Sequence, residues 1–422
     1  MDFSDLLETP KMETKKIDRI ANGSGTKEIL CDGYFYDVTN FISRHPGGSI
    51  IMYYTQRSED ATHAIQQFHQ RSTERVRMMM KAFKRRPASD SELGLEEAVI
   101  KKNRALTEDF NKLYLELEQE GLFEPSYTHN ILRLVELLVM TAAGVALIQC
   151  QSYLAKFIGS VFIGIVRGRS GWMQHESGHM SLSGNPRMDR IFHALLLGLG
   201  LGMSSSWWAS QHNRHHAMPQ RLHHDVDLNT MPLIAYSAKV VKKPKDGKRF
   251  WIKFQAYLFL IDTLLVGLSW CYYIHPKYVF KHKHYLQLVA MVAHHWLIYK
   301  LGFWPVLLSS WVAATYLLLN FTLNHTHLPV TTQPSHWVEY SLLHTADVEQ
   351  TPWCDWWMGY LNYQIEHHLF PTMPQFRHPR ITGRVKALAE KHNLPYYVYS
   401  YREAVGKTFR NMSDVSKELS KM

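Results

Sequence analysis

Histidine makes up 25 of the 422 residues, and most of those suited to chemistry fall in three clusters with metal-ligand spacing. His175-Glu176-Ser177-Gly178-His179 places imidazoles at i and i+4. His212-Asn213-Arg214-His215-His216 places them at i, i+3 and i+4, and Gln364-Ile365-Glu366-His367-His368 repeats that pattern with glutamine first. Side chains three and four apart share one helix face, so each cluster directs its nitrogens at one spot. Neutral imidazole is a ligand for iron, copper, zinc and nickel. One cluster alone would make a zinc site. Seven histidines on three segments exceed the needs of one four-coordinate ion, and two adjacent metals account for them most simply. His294 and His295 stand near the end of an apolar stretch without such spacing, and are read as snorkelling or hydrogen-bonded residues.

A second kind of chemistry is written near the N-terminus. The run Gly33-Tyr34-Phe35-Tyr36-Asp37-Val38-Thr39-Asn40-Phe41 precedes His45-Pro46-Gly47-Gly48, and Phe68-His69 follows, with His69 24 positions after His45. These residues closely resemble the cytochrome b5 family. The resemblance implies a haem b whose axial ligands are His45 and His69, with Pro-Gly-Gly turning the chain around the haem edge. Two imidazoles fill both axial sites and leave the iron to carry electrons. His63, six residues before His69, is read as a polar surface residue. The chain departs from the family in having a short stretch before Cys31, without the usual first helix and aromatic.

These side chains need a scaffold, and five apolar stretches supply it: 131–149, 152–166, 254–274, 286–299 and 303–321. Spans near 20 residues are long enough to cross a bilayer. The mean hydropathy of -0.24 hides them, because the histidines and two charged ends dilute the average. Stretches 131–149 and 152–166 are joined by almost nothing and read as a tight hairpin. Arg133 at its entry and Arg167 and Arg169 at its exit put both open ends in the cytosol. A full crossing by 254–274 would leave the basic run 275–284 in the lumen, against that rule. That stretch is therefore assigned as interfacial or re-entrant, and 286–300 pairs with 303–321 as the second hairpin. All three histidine clusters then reach one membrane face.

The formal charge of +10 fits either nucleic acid or an anionic leaflet, and the apolar stretches decide for the membrane. No basic patch with interleaved stacking aromatics asks for nucleic acid. Cys31, Cys150, Cys271 and Cys354 form no disulfide or metal spacing and fit a reducing cytosolic face. Residues 1–16 lack the apolar core of a secretory signal, so both termini are expected in the cytosol. The closing Ser420-Lys421-Met422 is a weak match to a peroxisomal tripeptide and is set aside for a polytopic chain. The chain divides into an N-terminal tail (1–26), a haem unit (27–83), a charged linker (84–107), a membrane unit (108–405) and a C-terminal tail (406–422). A surface helix over 103–120 leads into the membrane. The expected fold is a small α+β cytochrome b5-like domain followed by an all-α membrane domain. The latter has two transmembrane hairpins, interfacial helices and a cytosolic histidine-rich cap.

HxxxH, HxxHH and QxxHH in this order after an HPGG domain resemble the front-end fatty acid desaturases, over roughly residues 33–399. The run Leu361-Asn362-Tyr363-Gln364-Ile365-Glu366-His367-His368-Leu369-Phe370-Pro371 is similar to that subfamily's most distinctive segment. Trp207-Trp208 and Asp225-Val226-Asp227 also look like the family. The resemblance implies metal ligands at His175, His179, His212, His215, His216, His367 and His368. It adds His325, after the last membrane helix, with His327 as a weaker candidate. Gln364 is implied as a weak ligand or an orienter. It further implies two non-haem irons, O2 as co-substrate, and a fatty acyl-CoA or acyl-phospholipid substrate. Electrons are expected from an NADH-cytochrome b5 reductase, and the location expected is the endoplasmic reticulum membrane. Trp207, Trp208, Trp356 and Trp357 are read either as interfacial aromatics or as lining of an acyl channel. Glu176 stands where the family more often has aspartate, and His344 where it has a small hydroxylated residue. Two rival readings stay open: a sphingolipid desaturase or hydroxylase with the same metals, and a catalytically inactive b5-type membrane electron carrier.

Overall fold

The computed structural model of the chain describes residues 25–228 and 230–422. The expectations for residues 1–16, and for most of the N-terminal tail, lie outside the described residues. The first unit is built on a three-stranded antiparallel sheet, β1 (Glu28–Cys31), β2 (Tyr34–Asp37) and β3 (Arg85–Pro87), in the order β1-β2-β3. Asp32 and Gly33, both at positive φ, close the β1–β2 hairpin with Cys31 opposite Tyr34. Such two-residue turns match the twist of the strands they join. Helices α1 (Thr62–Phe68) and α2 (Thr73–Lys81) complete the unit.

The boundary expected at 83/84 falls inside this sheet. Tyr34 pairs with Pro87 and Tyr36 with Arg85, so the start of the charged segment is an edge strand. Its charge is accommodated because Arg86 reaches Glu28 at 2.8 Å and Glu92 at 2.9 Å. Helix α3 (Glu97–Gln119) begins earlier than the surface helix expected over 103–120, with one face exposed and the other packed inward. Ile100, Leu106, Phe110, Leu113 and Leu117 form an apolar stripe at helical spacing, and all are buried.

The helical unit starts with α4 (Tyr127–Gln149) and α5 (Tyr153–Gly178), the expected tight hairpin. A Cβ on Gly159 would lie 2.6 Å from the Gly144 carbonyl oxygen and 2.8 Å from Leu147 Cβ, so the two backbones meet where only glycine fits. Gly159→Ala is expected to lower the melting temperature of the purified protein, at a cost of about 1–3 kcal/mol for overpacking. An unchanged thermal transition would refute this. Helix α5 continues well past the expected end of the apolar stretch, and its buried second half holds Arg167, Arg169 and the first histidine pair. Arg169 is paired with Glu136 of α4 at 2.7 Å.

Helices α6 (Pro186–Leu201) and α7 (Ser205–Ala217) follow, then one long helix α8 (Gln255–His282) with a π turn at Trp270–Ile274. Next come α9 (Tyr285–Tyr299), α10 (Phe303–Thr322), α11 (Trp337–His344), α12 (Pro352–Met358) and α13 (Gln364–Leu369). The chain ends with α14 (Thr382–Lys391) and α15 (Tyr401–Lys421). Strands β4 (Asp347–Val348) and β5 (Val398–Tyr399) form a small parallel pair. Among the described residues, three helices are long and apolar enough to cross a membrane: Tyr127–Gln149, Gln255–His282 and Phe303–Thr322.

The stretch expected to be interfacial thus lies in a helix of spanning length. Near its start it is tied to α15, and in its later part to the start of α7. Gln255 Nε2 donates to Met412 O at 2.9 Å, and His275 Nδ1 accepts from the Ser204 backbone N–H at 2.8 Å. The expected partner of α10, α9, has 15 residues and a length of about 22 Å, short of the hydrocarbon core. It packs instead on α6, with His294 Nδ1 donating to Leu199 O at 2.6 Å. Residues 406–422, expected as a tail, form most of α15. Ala404, Thr408, Met412, Val415 and Leu419 recur at helical spacing and are buried, and Phe409 packs on Phe259 of α8.

Candidate metal centre and haem pocket

Three elements deliver the histidine clusters to one place. Helix α5 carries His175, with His179 capping its end. Helix α7 is started by Ser204, whose hydroxyl accepts from the Trp207 N–H at 3.2 Å, and carries His212, His215 and His216. Helix α13 carries Gln364, His367 and His368. The turn after α10 adds His325. All eight imidazoles are buried.

They gather into two groups, each with ligand nitrogens within 4.8 Å of one another: His175, His179, His212, His216 and His367 in one, and His215, His325 and His368 in the other. Nε2 of His179 lies 3.0 Å from that of His212, His212 lies 3.0 Å from His216, and His216 lies 3.1 Å from His367. Two nitrogens bound at right angles to one ion at about 2.1 Å are about 3.0 Å apart, so these spacings fit shared coordination. His175 Nε2 and both nitrogens of His368 are buried with no protein partner, which is the condition of donors awaiting a metal. The Gln364 amide lies 3.3 Å from His325 Nε2, at the smaller group. His327, the weaker candidate, lies outside both groups, with its ring against Tyr399.

The surroundings fix both tautomer and charge. Burial and the neighbouring imidazoles push His212, His216, His367 and His368 well below the usual histidine range, leaving lone pairs free. His215 differs: burial pulls it down, but Asp225 and Asp227 prevail and raise it to about 9. Both Asp225 oxygens are 3.1 Å from its Nδ1, a partnership that makes an imidazole a more basic ligand. His325 Nδ1 donates to the His344 carbonyl at 2.9 Å, so His344 serves through its backbone. His175 Nδ1 lies 2.6 Å from the Gln375 amide, and the Gln375 N–H donates to Glu176 Oε1 at 2.7 Å. The glutamate of the first box therefore anchors the loop that orients its own histidine.

Sequence reasoning missed Gln375 and a buried network under α13. The Tyr396 hydroxyl reaches Glu366 at 2.7 Å and Asp347 at 2.9 Å, and Asp347 accepts from the Ile365 N–H at 2.9 Å. Burial raises both carboxyls, Asp347 to about 6 and Glu366 well above its usual range. Glu366 inside the third box was the available signal.

A narrow cavity runs between α5, α6, α8 and α10, lined by Arg167, Leu197, Trp208, Trp270, Leu317 and Phe321 among others. Trp208 joins this cavity to the metal centre, since its ring stacks on His212 at 4.1 Å. Trp207 packs on Trp270 and His275, Trp356 holds Glu136, and Trp357 holds the Tyr401 hydroxyl. Of the four tryptophans only Trp208 lines this cavity.

In the first unit the rings of His45 and His69 are 6.3 Å apart across a cavity of about 850 Å³. Two imidazoles bound on opposite sides of one iron at about 2 Å each require a centre-to-centre distance of about 6 Å. Burial lowers both, His69 to about 4, so both are neutral donors. Arg187 and Arg190, from the start of α6, line the same cavity with Arg44 and Arg75, a cationic rim suited to the carboxylates of a haem. His63 is not at the surface: it is buried against Phe110 and His336, at the seam between the units.

A small haem-type domain joined to a helical body with two groups of imidazoles defines a membrane oxidoreductase with its own electron carrier. Residues 151–400 match the family model described as fatty acid desaturase, and residues 19–88 match that of the cytochrome b5-like haem/steroid binding domain. The chain belongs to the fatty acid desaturase family. It is 45% identical over 402 residues to an acyl-lipid (8-3)-desaturase of Rebecca salina, covering 92% of each chain. It is 42% identical to an acyl-lipid (8-3)-desaturase of Thraustochytrium sp, covering 94% of this chain and 93% of the other. To the delta(8)-fatty-acid desaturase of Euglena gracilis it is 31% identical, covering 86% and 88%.

Proposed function

We propose that the chain is a front-end acyl desaturase that inserts a cis double bond three carbons to the carboxyl side of one already at carbon 8, as the names of the two (8-3) relatives describe. The observation that carries an oxidative reading is the convergence of eight buried imidazoles into two adjacent groups. Removing two hydrogens from neighbouring methylenes while reducing O2 to two waters requires two further electrons and two protons. When bound, the iron pair supplies oxygen activation and C–H abstraction that side chains do not, and the haem supplies electrons one at a time. NADH is the ultimate donor through a separate reductase, and the substrate is an acyl-CoA or acyl-phospholipid.

The chain's own residues bind, orient and exclude water. The cavity between α5, α6, α8 and α10 receives the acyl chain, and Trp208 sets its approach to the metal centre. Asp225, the His344 carbonyl and Gln375 hold three of the imidazoles in place. Gln364 completes or orients the three-histidine group. The boxes and both termini face the cytosol from the endoplasmic reticulum membrane.

Expression in yeast fed polyunsaturated acids whose first double bond is at carbon 8, with gas chromatography of the lipids, tests this. The expected product carries one more double bond, three carbons nearer the carboxyl. No new acyl product, together with altered sphingoid bases, would instead favour a sphingolipid enzyme.

A further inference from the structure

The haem unit is seated on the helical unit and not merely tethered to it. Tyr53, Tyr54, Ala61 and Ala64 share one apolar core with Phe110, Ala217, Trp337 and Phe370. Four of the polar contacts that cross the seam fall close together. Glu59 and Arg221 form an ion pair whose side chains are 4% and 3% exposed. The Tyr53 hydroxyl donates to His224 O at 3.1 Å, Arg214 donates to Ser49 Oγ at 3.2 Å, and the Tyr54 hydroxyl donates to Ala217 O at 3.1 Å. All four land on residues 214–224, the segment that carries the end of the second histidine box.

Tyr54 occupies a special place among them. Its side chain lines the haem cavity together with His45 and His69, and its hydroxyl ends on the carbonyl of the residue directly after His216. His216 in turn lies 3.0 Å from His212 and 3.1 Å from His367 in the five-histidine group. We propose that Tyr54, the Ala217 carbonyl and His216 form the route by which electrons leave the haem for the metal centre, with the Glu59–Arg221 pair holding it closed. The inference rests on the desaturase reading above. Each passage moves one electron: the haem iron goes from ferrous to ferric, and one metal ion gains the electron lost. Tyr54 is a positioning residue that keeps its proton, and burial holds its phenol well above the usual range. The electrons are replenished by the NADH-dependent reductase. Another aromatic link across the seam, Phe68 against Trp337 at 6.0 Å, has no hydrogen bond to continue it: the Trp337 indole N–H has no partner.

The test uses the full-length holoenzyme with Tyr54→Phe, which keeps the ring and removes only the donor. Enzyme with its haem reduced under nitrogen is mixed with O2 and acyl substrate, and haem reoxidation is followed by stopped-flow absorbance. Reoxidation is expected to slow severalfold in Tyr54→Phe, while the haem spectrum, its midpoint potential and its reduction by the reductase stay at wild-type values. Trp337→Phe is expected to reoxidise at the wild-type rate. A wild-type rate in Tyr54→Phe, or a slow rate in Trp337→Phe alone, would overturn the route. So would a Tyr54→Phe rate that becomes dependent on ionic strength, since that reports undocking of the haem unit. Wild-type haem that O2 and substrate fail to reoxidise would overturn the desaturase reading itself, and the route with it.

Discussion

His325→Ala is expected to abolish product formation, to remove one of two non-haem metal ions per chain, and to leave the haem spectrum untouched. His325 belongs to the smaller group, where only His215 and His368 accompany it, with the Gln364 amide beside them. Losing one of three imidazoles leaves too few donors for a stable site. The five-histidine group tolerates a loss better, so His175→Ala is expected to retain more metal than His325→Ala. The haem ligands His45 and His69 lie in a different unit, which is why the spectrum serves as an internal control. Metal analysis and absorbance spectra of the purified variants, beside product analysis in yeast, check these statements. Full metal content in His325→Ala would show that the residue is not a ligand.

Breaking the ion pair at the seam should have the largest effect on stability. Glu59→Gln leaves the Arg221 guanidinium buried beside a neutral group, at a cost of about 3–5 kcal/mol. Burial raises the Glu59 carboxyl, and the Arg221 charge opposes that shift, so the two are retained as a pair or not at all. The double variant Glu59→Leu with Arg221→Met removes both charges and is expected to recover most of the loss. Thermal unfolding of the three proteins in one detergent measures this. A double variant as unstable as Glu59→Gln would mean that the pair itself, and not an unpaired charge, governs the seam.

Much of the site was legible along the chain. The three histidine clusters announced themselves by helical spacing, and all seven of their histidines converge in the two imidazole groups. His325 was not found that way, since it stands alone in its segment, and only the resemblance to desaturases pointed to it. Helix α15 was legible and overlooked, because its apolar residues recur at helical spacing inside a segment that is otherwise charged. Strand β3 was hidden for the opposite reason: Arg85 and Arg86 look like linker until Glu28, far earlier in the chain, lies opposite.

From the amino-acid order alone came the kinds of atom available, imidazole nitrogens on a shared helix face and a histidine pair around an HPGG turn. Their division into five and three needed the folded chain. His215 and His216 are neighbours yet join different groups, as do His367 and His368. Successive residues on a helix point about 100° apart, so one helix can feed two ions, and which ion each nitrogen meets depends on what lies opposite. The same holds for Asp225, Gln375 and the Tyr54–Ala217 contact, whose partners are brought together across 10, 200 and 163 residues. Spacing along a helix acts over a few residues, whereas these distances are closed only by packing.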